Sequence, residues 1–256
     1  MKISELDSYN LKDAIKFHLE LNPKLWSGRS LIPDVRKHLM LIAQDFREFL
    51  GIPDLEVKDI TISGSNAAYT YTDHSDIDLH LIVDVEKLDH SDVYRELFNS
   101  KKYQYNDQHL IKIYGYTVEV YVQDAKQTHT SLGIYSILNN DWIKLPEKQR
   151  ATINDISTKS KYETTLARIN SAIQSTNMDQ AHNVWDEIKD MRKSGLAIMG
   201  EFGPENLTFK MLRAQGVIKK LIDHINSLKN HSLSLEQANM IGTKNHSKEK
   251  IDYASV

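Results

Sequence analysis

Apolar positions at intervals of three and four run from Val35 through Leu39, Ile42 and Phe46 to Phe49, which predicts an amphipathic helix. Pro33 opens it and Gly51 and Pro53 close it, the asymmetry helices favour. Residues 11–21 predict a shorter helix ending before Pro23. The period then changes. Asp59 to Ser63 alternates and is β-branched, so it reads as a strand ending at Gly64-Ser65. Asn66 to Tyr71 predicts one or two helical turns, and Ile77 to Val83 a second strand. Leu88 to Ser100 predicts a helix with Val93 and Leu97 turned inward. Leu110–Ile113 and Thr117–Val122 read as strands of a hairpin around Gly115. Beyond about residue 145 the strand pattern stops. Residues 161–176, 179–194 and 205–229 predict three helices, with breaks at Gly200 and Gly203-Pro204. From Asn239 the chain is polar, lysine-containing and without helical period. The expected organisation is an α+β domain over 1–150 with N-terminal helices, a helical domain over 151–235 and a polar tail over 236–256.

Composition narrows the chemistry. None of the 256 residues is cysteine, which removes disulfides, thiolate metal sites and a cysteine nucleophile. The longest apolar run, Leu39 to Ala43, is far below the roughly 18 residues of a membrane span. The first residues, Met1 to Glu5, carry no apolar signal region. The expectation is a cytoplasmic protein with no membrane partner. Net charge is −3, so no global positive field marks a nucleic-acid binder. Residues 151–256 hold 14 Lys+Arg against 12 Asp+Glu, and the rest 18 against 23. An acidic N-terminal part acting on a polyphosphate would need metal ions in between.

That part contains a carboxylate constellation. Asp76 and Asp78 stand two apart at the start of a strand, so both project from one face while Ile77 and Leu79 take the other. Held that close, two carboxylates repel, and a divalent cation would remove the repulsion. Mg²⁺ takes one or two carboxylates plus waters and phosphates. Glu119 lies inside the apolar stretch Val118 to Val122, on one face with Thr117 and Tyr121. An acid there costs free energy unless solvated, paired or metal-bound. If its strand runs beside the Asp76–Asp78 strand, three carboxylates converge and could hold two metals about 4 Å apart. Gly64 would let the backbone approach a phosphate, Ser65 would add a hydrogen bond, and a helical turn from Asn66 would present N–H groups to it.

Gly64-Ser65, ten residues, Asp76-Ile77-Asp78-Leu79 and the later Glu119 together resemble the DNA polymerase β type of nucleotidyltransferase. The resemblance covers roughly residues 33–125. It implies a nucleotidyltransferase-like mixed sheet flanked by helices, followed by a C-terminal helical domain. It also implies transfer of a nucleoside monophosphate from a nucleoside triphosphate to an acceptor hydroxyl, by two-metal chemistry. Mg²⁺, or Mn²⁺ in its place, is the implied cofactor. Asp76 and Asp78 would bind both metals; Glu119 would bind the catalytic one and help deprotonate the acceptor; Gly64, Ser65 and Asn66 would hold the phosphates. The acceptor is left open among an RNA 3′ end, a nucleotide, a protein and a small molecule.

Weaker signals accompany these. Residues 189–220 hold seven Lys+Arg and three Asp+Glu, with Lys210 and Arg213 sharing a helix face. They could reach the triphosphate as basic residues do in related enzymes, or form a solvated face. Gly195 to Leu212 resembles bacteriophage nucleotidyltransferase-like proteins. His74, His80, His90 and His109 lie near the acids without metal-binding helical spacing and read as ordinary polar histidines; His80 shares the Asp76–Asp78 face. Tyr69, Tyr71 and Tyr121 are candidates for stacking on a base, or for simple packing. A template-like Arg-Arg-Asp motif and a helix-hairpin-helix pattern are missing, which leaves the acceptor undefined. The competing readings are a non-catalytic nucleotide- or RNA-binding regulator, and an antitoxin-like module of the same fold.

Overall fold

The computed structural model describes residues 9–127, 131–148 and 151–234. They divide into two units, Asn10–Ile153 and Asn154 onward together with Tyr9. The polar tail from Asn239 lies outside the described residues.

The first unit is α+β, a mixed sheet with helices. Its elements are β1 (Trp26–Ser27), β2 (Ser30–Leu31), α1 (Pro33–Leu50), β3 (Val57–Ser63), β4 (Ile77–Val83), α2 (Ser91–Gln108), β5 (Lys112–Ile113), β6 (Tyr116–Asp124), β7 (Ile134–Ser136) and β8 (Asp141–Lys144). Six strands form one sheet in the order β5-β6-β4-β3-β7-β8. Among the described residues only β4 and β6 pair in parallel; α2 lies on the crossover between them. The β5–β6 hairpin turns on Tyr114-Gly115.

Alternation decides the layering. Ile77, Leu79 and Leu81 of β4 are 0% exposed and join Ile62, Val118 and Val120 in one apolar layer. Against it pack Val35, Leu39, Ile42, Phe46 and Leu50 of α1 and Phe98 and Tyr105 of α2. The other residues of β4, Asp78, His80 and Ile82, are half-buried on the opposite face.

Three expectations change here. Residues 11–21 hold only a single 3₁₀ turn, Leu11–Asp13. The Asn10 side chain accepts from Lys12 N, and His18 N donates to Tyr69 O at 2.8 Å, a bond to a distant segment that competes with helix. In α2 the inward residues are Phe98 and Tyr105, whereas Val93 is 65% exposed. Aromatic area settles the phase of that helix: the Tyr105 ring lies 5.0 Å from Phe46 and 5.3 Å from Phe49. Third, β7 and β8 extend the sheet in a region where the pattern predicts no strand.

The second unit holds α3 (Asp155–Gln174), α4 (Met178–Met199), α5 (Pro204–Ala214) and α6 (Val217–Leu233). Asn154 and Asn177 cap α3 and α4 by accepting from Ser157 N and Gln180 N. Tyr162, Ile169, Ile188, Leu207, Met211 and Leu221 form buried contacts among the four helices. The predicted single helix over 205–229 is two, because Gly216 adopts φ 73° and ends the helical run.

Candidate functional site

Register across three strands places the sequence-derived acids. Ser63 of β3 faces Asp78 of β4 in the antiparallel pair, and Asp78 faces Glu119 of β6 in the parallel pair. One step along the same face, Thr61 faces His80 and His80 faces Tyr121. Asp76 immediately precedes β4 and shares parity with Asp78. The condition set by the sequence, that the Glu119 strand should border the Asp76–Asp78 strand, is thus met. Asp76, Asp78 and Glu119 are each half-buried, open enough to meet a ligand.

The turn after β3 is built against this row. Gly64 adopts φ 75°, ψ −163°, a region essentially reserved for glycine. A Cβ there would stand 1.9 Å from Asp78 Oδ2, so the bare backbone packs directly on the carboxylate. Ser65 Oγ donates to Ser75 Oγ at 2.7 Å, and Ser75 Oγ accepts from Thr72 N at 2.9 Å. Asn66 is 0% exposed. Its Nδ2 donates to Asp76 O at 3.0 Å, its Oδ1 accepts from Asn22 Nδ2 at 2.8 Å, and its carbonyl accepts from Trp26 Nε1 at 2.8 Å. Asn66 therefore ties the backbone on either side of the loop together, so that Gly64 and Asp76 keep their spacing. The helical turns expected from Asn66 to Tyr71 reduce to one 3₁₀ turn, Ser65–Ala67, with Ala68 extended. Three residues build no helix dipole to speak of, so the loop's offer to an anion is local N–H groups.

Tyr121 completes the row behind the acids. Its hydroxyl donates to Glu119 Oε2. Its ring stacks on His80, centroids 5.0 Å apart and planes 18° apart. Nε2 of His80 lies 3.1 Å from Ser63 Oγ. Burial, reinforced by the negative charges of Asp78 and Glu119, pushes the Tyr121 phenol far above its usual range, so it stays a donor. Lys102 of α2 lies 5.2 Å from the Tyr121 ring centroid. Strand parity already puts His80 on the face of Asp76 and Asp78, and Tyr121 on that of Glu119; Lys102 lies beyond Ser100, where the predicted helix stops.

Tyr69 and Tyr71 are buried, and Tyr71 stacks on His18 with centroids 3.7 Å apart. Both pack within the fold. Lys210 and Arg213 belong to the second unit, on α5, half-buried and exposed respectively.

The donor set suits a hard cation: it offers carboxylate oxygens from two adjacent strands and a glycine turn pressed against one of them. Among the described residues, no three His, Asp or Glu side chains form a ready-made cation cluster. The Glu119 carboxylate is turned to the Tyr121 phenol. A cavity of about 920 Å³ lies elsewhere, along α1, between Met40 and Leu41 and the residues Ile52, Val57, Ile60 and Leu138. Its one lining acid is Glu48. Among the described residues no helix is long and apolar enough to cross a membrane. No family model matches the sequence, and neither a curated protein nor a solved structure matches it.

Proposed function

We propose that the chain is a metal-dependent nucleotidyltransferase of the DNA polymerase β type, its first unit being that fold. It would move a nucleoside monophosphate from a nucleoside triphosphate to an acceptor hydroxyl. The observation that carries the reading is the pairing of Asp78 with Glu119 across parallel strands, with Gly64 packed on the Asp78 carboxylate. Asp76, Asp78 and Glu119 are the residues that would hold Mg²⁺ or Mn²⁺. Such ions, when bound, neutralise phosphate charge and lower the pKa of a bound hydroxyl. Gly64, with no Cβ, lets the turn pack on the Asp78 carboxylate, and the Ser65–Ser75 hydrogen bond holds that turn in shape; Gly64 and Ser65 would hold the phosphates. Glu119 would bind the catalytic ion and help deprotonate the acceptor, and Asn66 keeps the glycine turn and Asp76 in step.

The test incubates the full chain with each α-labelled nucleoside triphosphate, Mg²⁺ or Mn²⁺, and pools of RNA and cell protein. The double variant Asp76→Ala/Asp78→Ala serves as the control. Metal-dependent label transfer that disappears in the variant is the expected result. Equal transfer by both proteins, or none from either with every acceptor pool, overturns the enzymatic reading. Metal-dependent nucleotide binding without transfer would instead identify the non-catalytic regulator.

A further inference from the structure

We propose that Tyr121 is a positioning residue for Glu119: its hydroxyl holds one carboxylate oxygen and leaves the other facing a divalent cation. The inference rests on the metal-binding reading of the acid row. A glutamate has three side-chain torsions, and a carboxylate that must be ordered when a ligand arrives loses affinity by that ordering. Here the ordering is already in the fold. The Tyr121 hydroxyl donates to Glu119 Oε2, so that oxygen is committed. The ring cannot swing away without breaking its stack on His80, and His80 is itself held by Ser63 Oγ at 3.1 Å. Lys102 stands 5.2 Å from the same ring centroid. Ser63, His80 and Tyr121 come from β3, β4 and β6, the three strands that carry Gly64, Asp78 and Glu119 to the site. The support therefore spans the same width as the row it steadies. Because Ser63 adjoins Gly64, the glycine turn and the third acid are linked through one chain of contacts.

Tyr121→Phe removes the hydroxyl and keeps the ring on His80. Mn²⁺ binding to the full chain is measured by the paramagnetic resonance of the free ion. Terbium emission is then read at saturation, excited once through tyrosine and once directly. The expected result is Mn²⁺ affinity about tenfold weaker, as loss of a hydrogen bond to a metal ligand commonly gives. Tyrosine-excited terbium emission should fall, directly excited emission should hold, and the thermal midpoint should stay close to that of the parent. A purely structural role would lower the midpoint while Mn²⁺ affinity at a temperature where the variant is folded stays that of the parent, which overturns the inference. Mn²⁺ affinity within twofold of the parent in Tyr121→Phe, with binding lost in Asp78→Asn, overturns the inference and spares the metal reading. Unchanged binding in both Asp78→Asn and Glu119→Gln overturns the metal reading itself. A nucleotide found covalently on Tyr121 by intact mass after incubation with triphosphate would make it an acceptor, again overturning the positioning role.

Discussion

Replacing Gly64 by alanine tests whether the turn is built around the Asp78 carboxylate. The added Cβ would lie 1.9 Å from Asp78 Oδ2 and 3.1 Å from Asp78 Cγ. Two costs add. The backbone at φ 75°, ψ −163° is strained for any L side chain, by about 1–3 kcal/mol. Moving the carboxylate out of the way is an overpacking cost of about 1–3 kcal/mol. The expected destabilisation is therefore about 2–6 kcal/mol. Gly51→Ala is the control, since Gly51 also has positive φ, 72°, but a Cβ there meets nothing within 4 Å. It should cost about 1 kcal/mol. Urea unfolding followed by tryptophan fluorescence measures both, because Trp26 and Trp142 stack at 4.8 Å within the first unit; Trp185→Phe removes the tryptophan of the second. A cycle with Asp78→Ala isolates the clash, and the coupling should be about 1–3 kcal/mol. If Gly64→Ala is as stable as Gly51→Ala, or the coupling stays under about 0.5 kcal/mol, the reasoning is refuted.

Two further outcomes follow from hydrogen bonds in the same unit. Asn106 of α2 accepts from Val120 N at 3.0 Å and donates to Val120 O at 3.1 Å, closing the β6 edge where β5 has ended. Asn106→Ala should cost about 2 kcal/mol and strip exchange protection from the Val120 amide; unchanged protection there would contradict it. The Asp124 carboxyl is pulled upward by burial, but bonds from Lys126 N, Arg95 and Val85 outweigh this and hold it below the usual carboxylate range. Its contribution to stability is thus complete above about pH 4 and lost as pH falls through the lowered value. In acid titrations of stability Asp124→Asn should be less stable than the parent at neutral pH and should lose that deficit on acidification. A constant difference across the range would contradict the assignment.

Much of the sheet's centre was legible because its signals are local. Alternation marked β3, β4 and β6, and parity put Asp76, Asp78 and His80 on one face of β4 and Glu119 and Tyr121 on one face of β6; that the two faces are one depends on the pairing of the strands. The pairing of Asp78 with Glu119 was not legible, since it is set by two strands 41 positions apart in the chain. The α2 phase was misread because Val93 and Leu97 obey helical spacing as well as the aromatic set does, and only contact with Phe46 and Phe49 separates them. The segment after Pro23 and the turn after Ser65 depend on side chains capturing distant backbone, as Trp26 does with the Asn66 carbonyl. Such bonds leave no periodic trace. β7 and β8 are short; a Ser136 Oγ bond to Asp59 Oδ1 at 2.7 Å helps fix the pairing of β7 with β3.

The strand order carries one more consequence. Of the strands in the six-stranded sheet, β3 and β4 come first in the chain and lie at its centre; β5 and β6 are added on one side, then β7 and β8 on the other. In a chain emerging from its N-terminal end, every later strand except β5, whose partner β6 follows it, meets an edge already in place, and none has to insert between two already joined. The acid row is complete once residue 124 has emerged, while the outer flank of β3 is still bare. The strands that bear the three acids thus precede those that close the sheet, and a chain halted in between would carry the acids beside an unprotected strand edge, the kind of surface that invites another chain to pair.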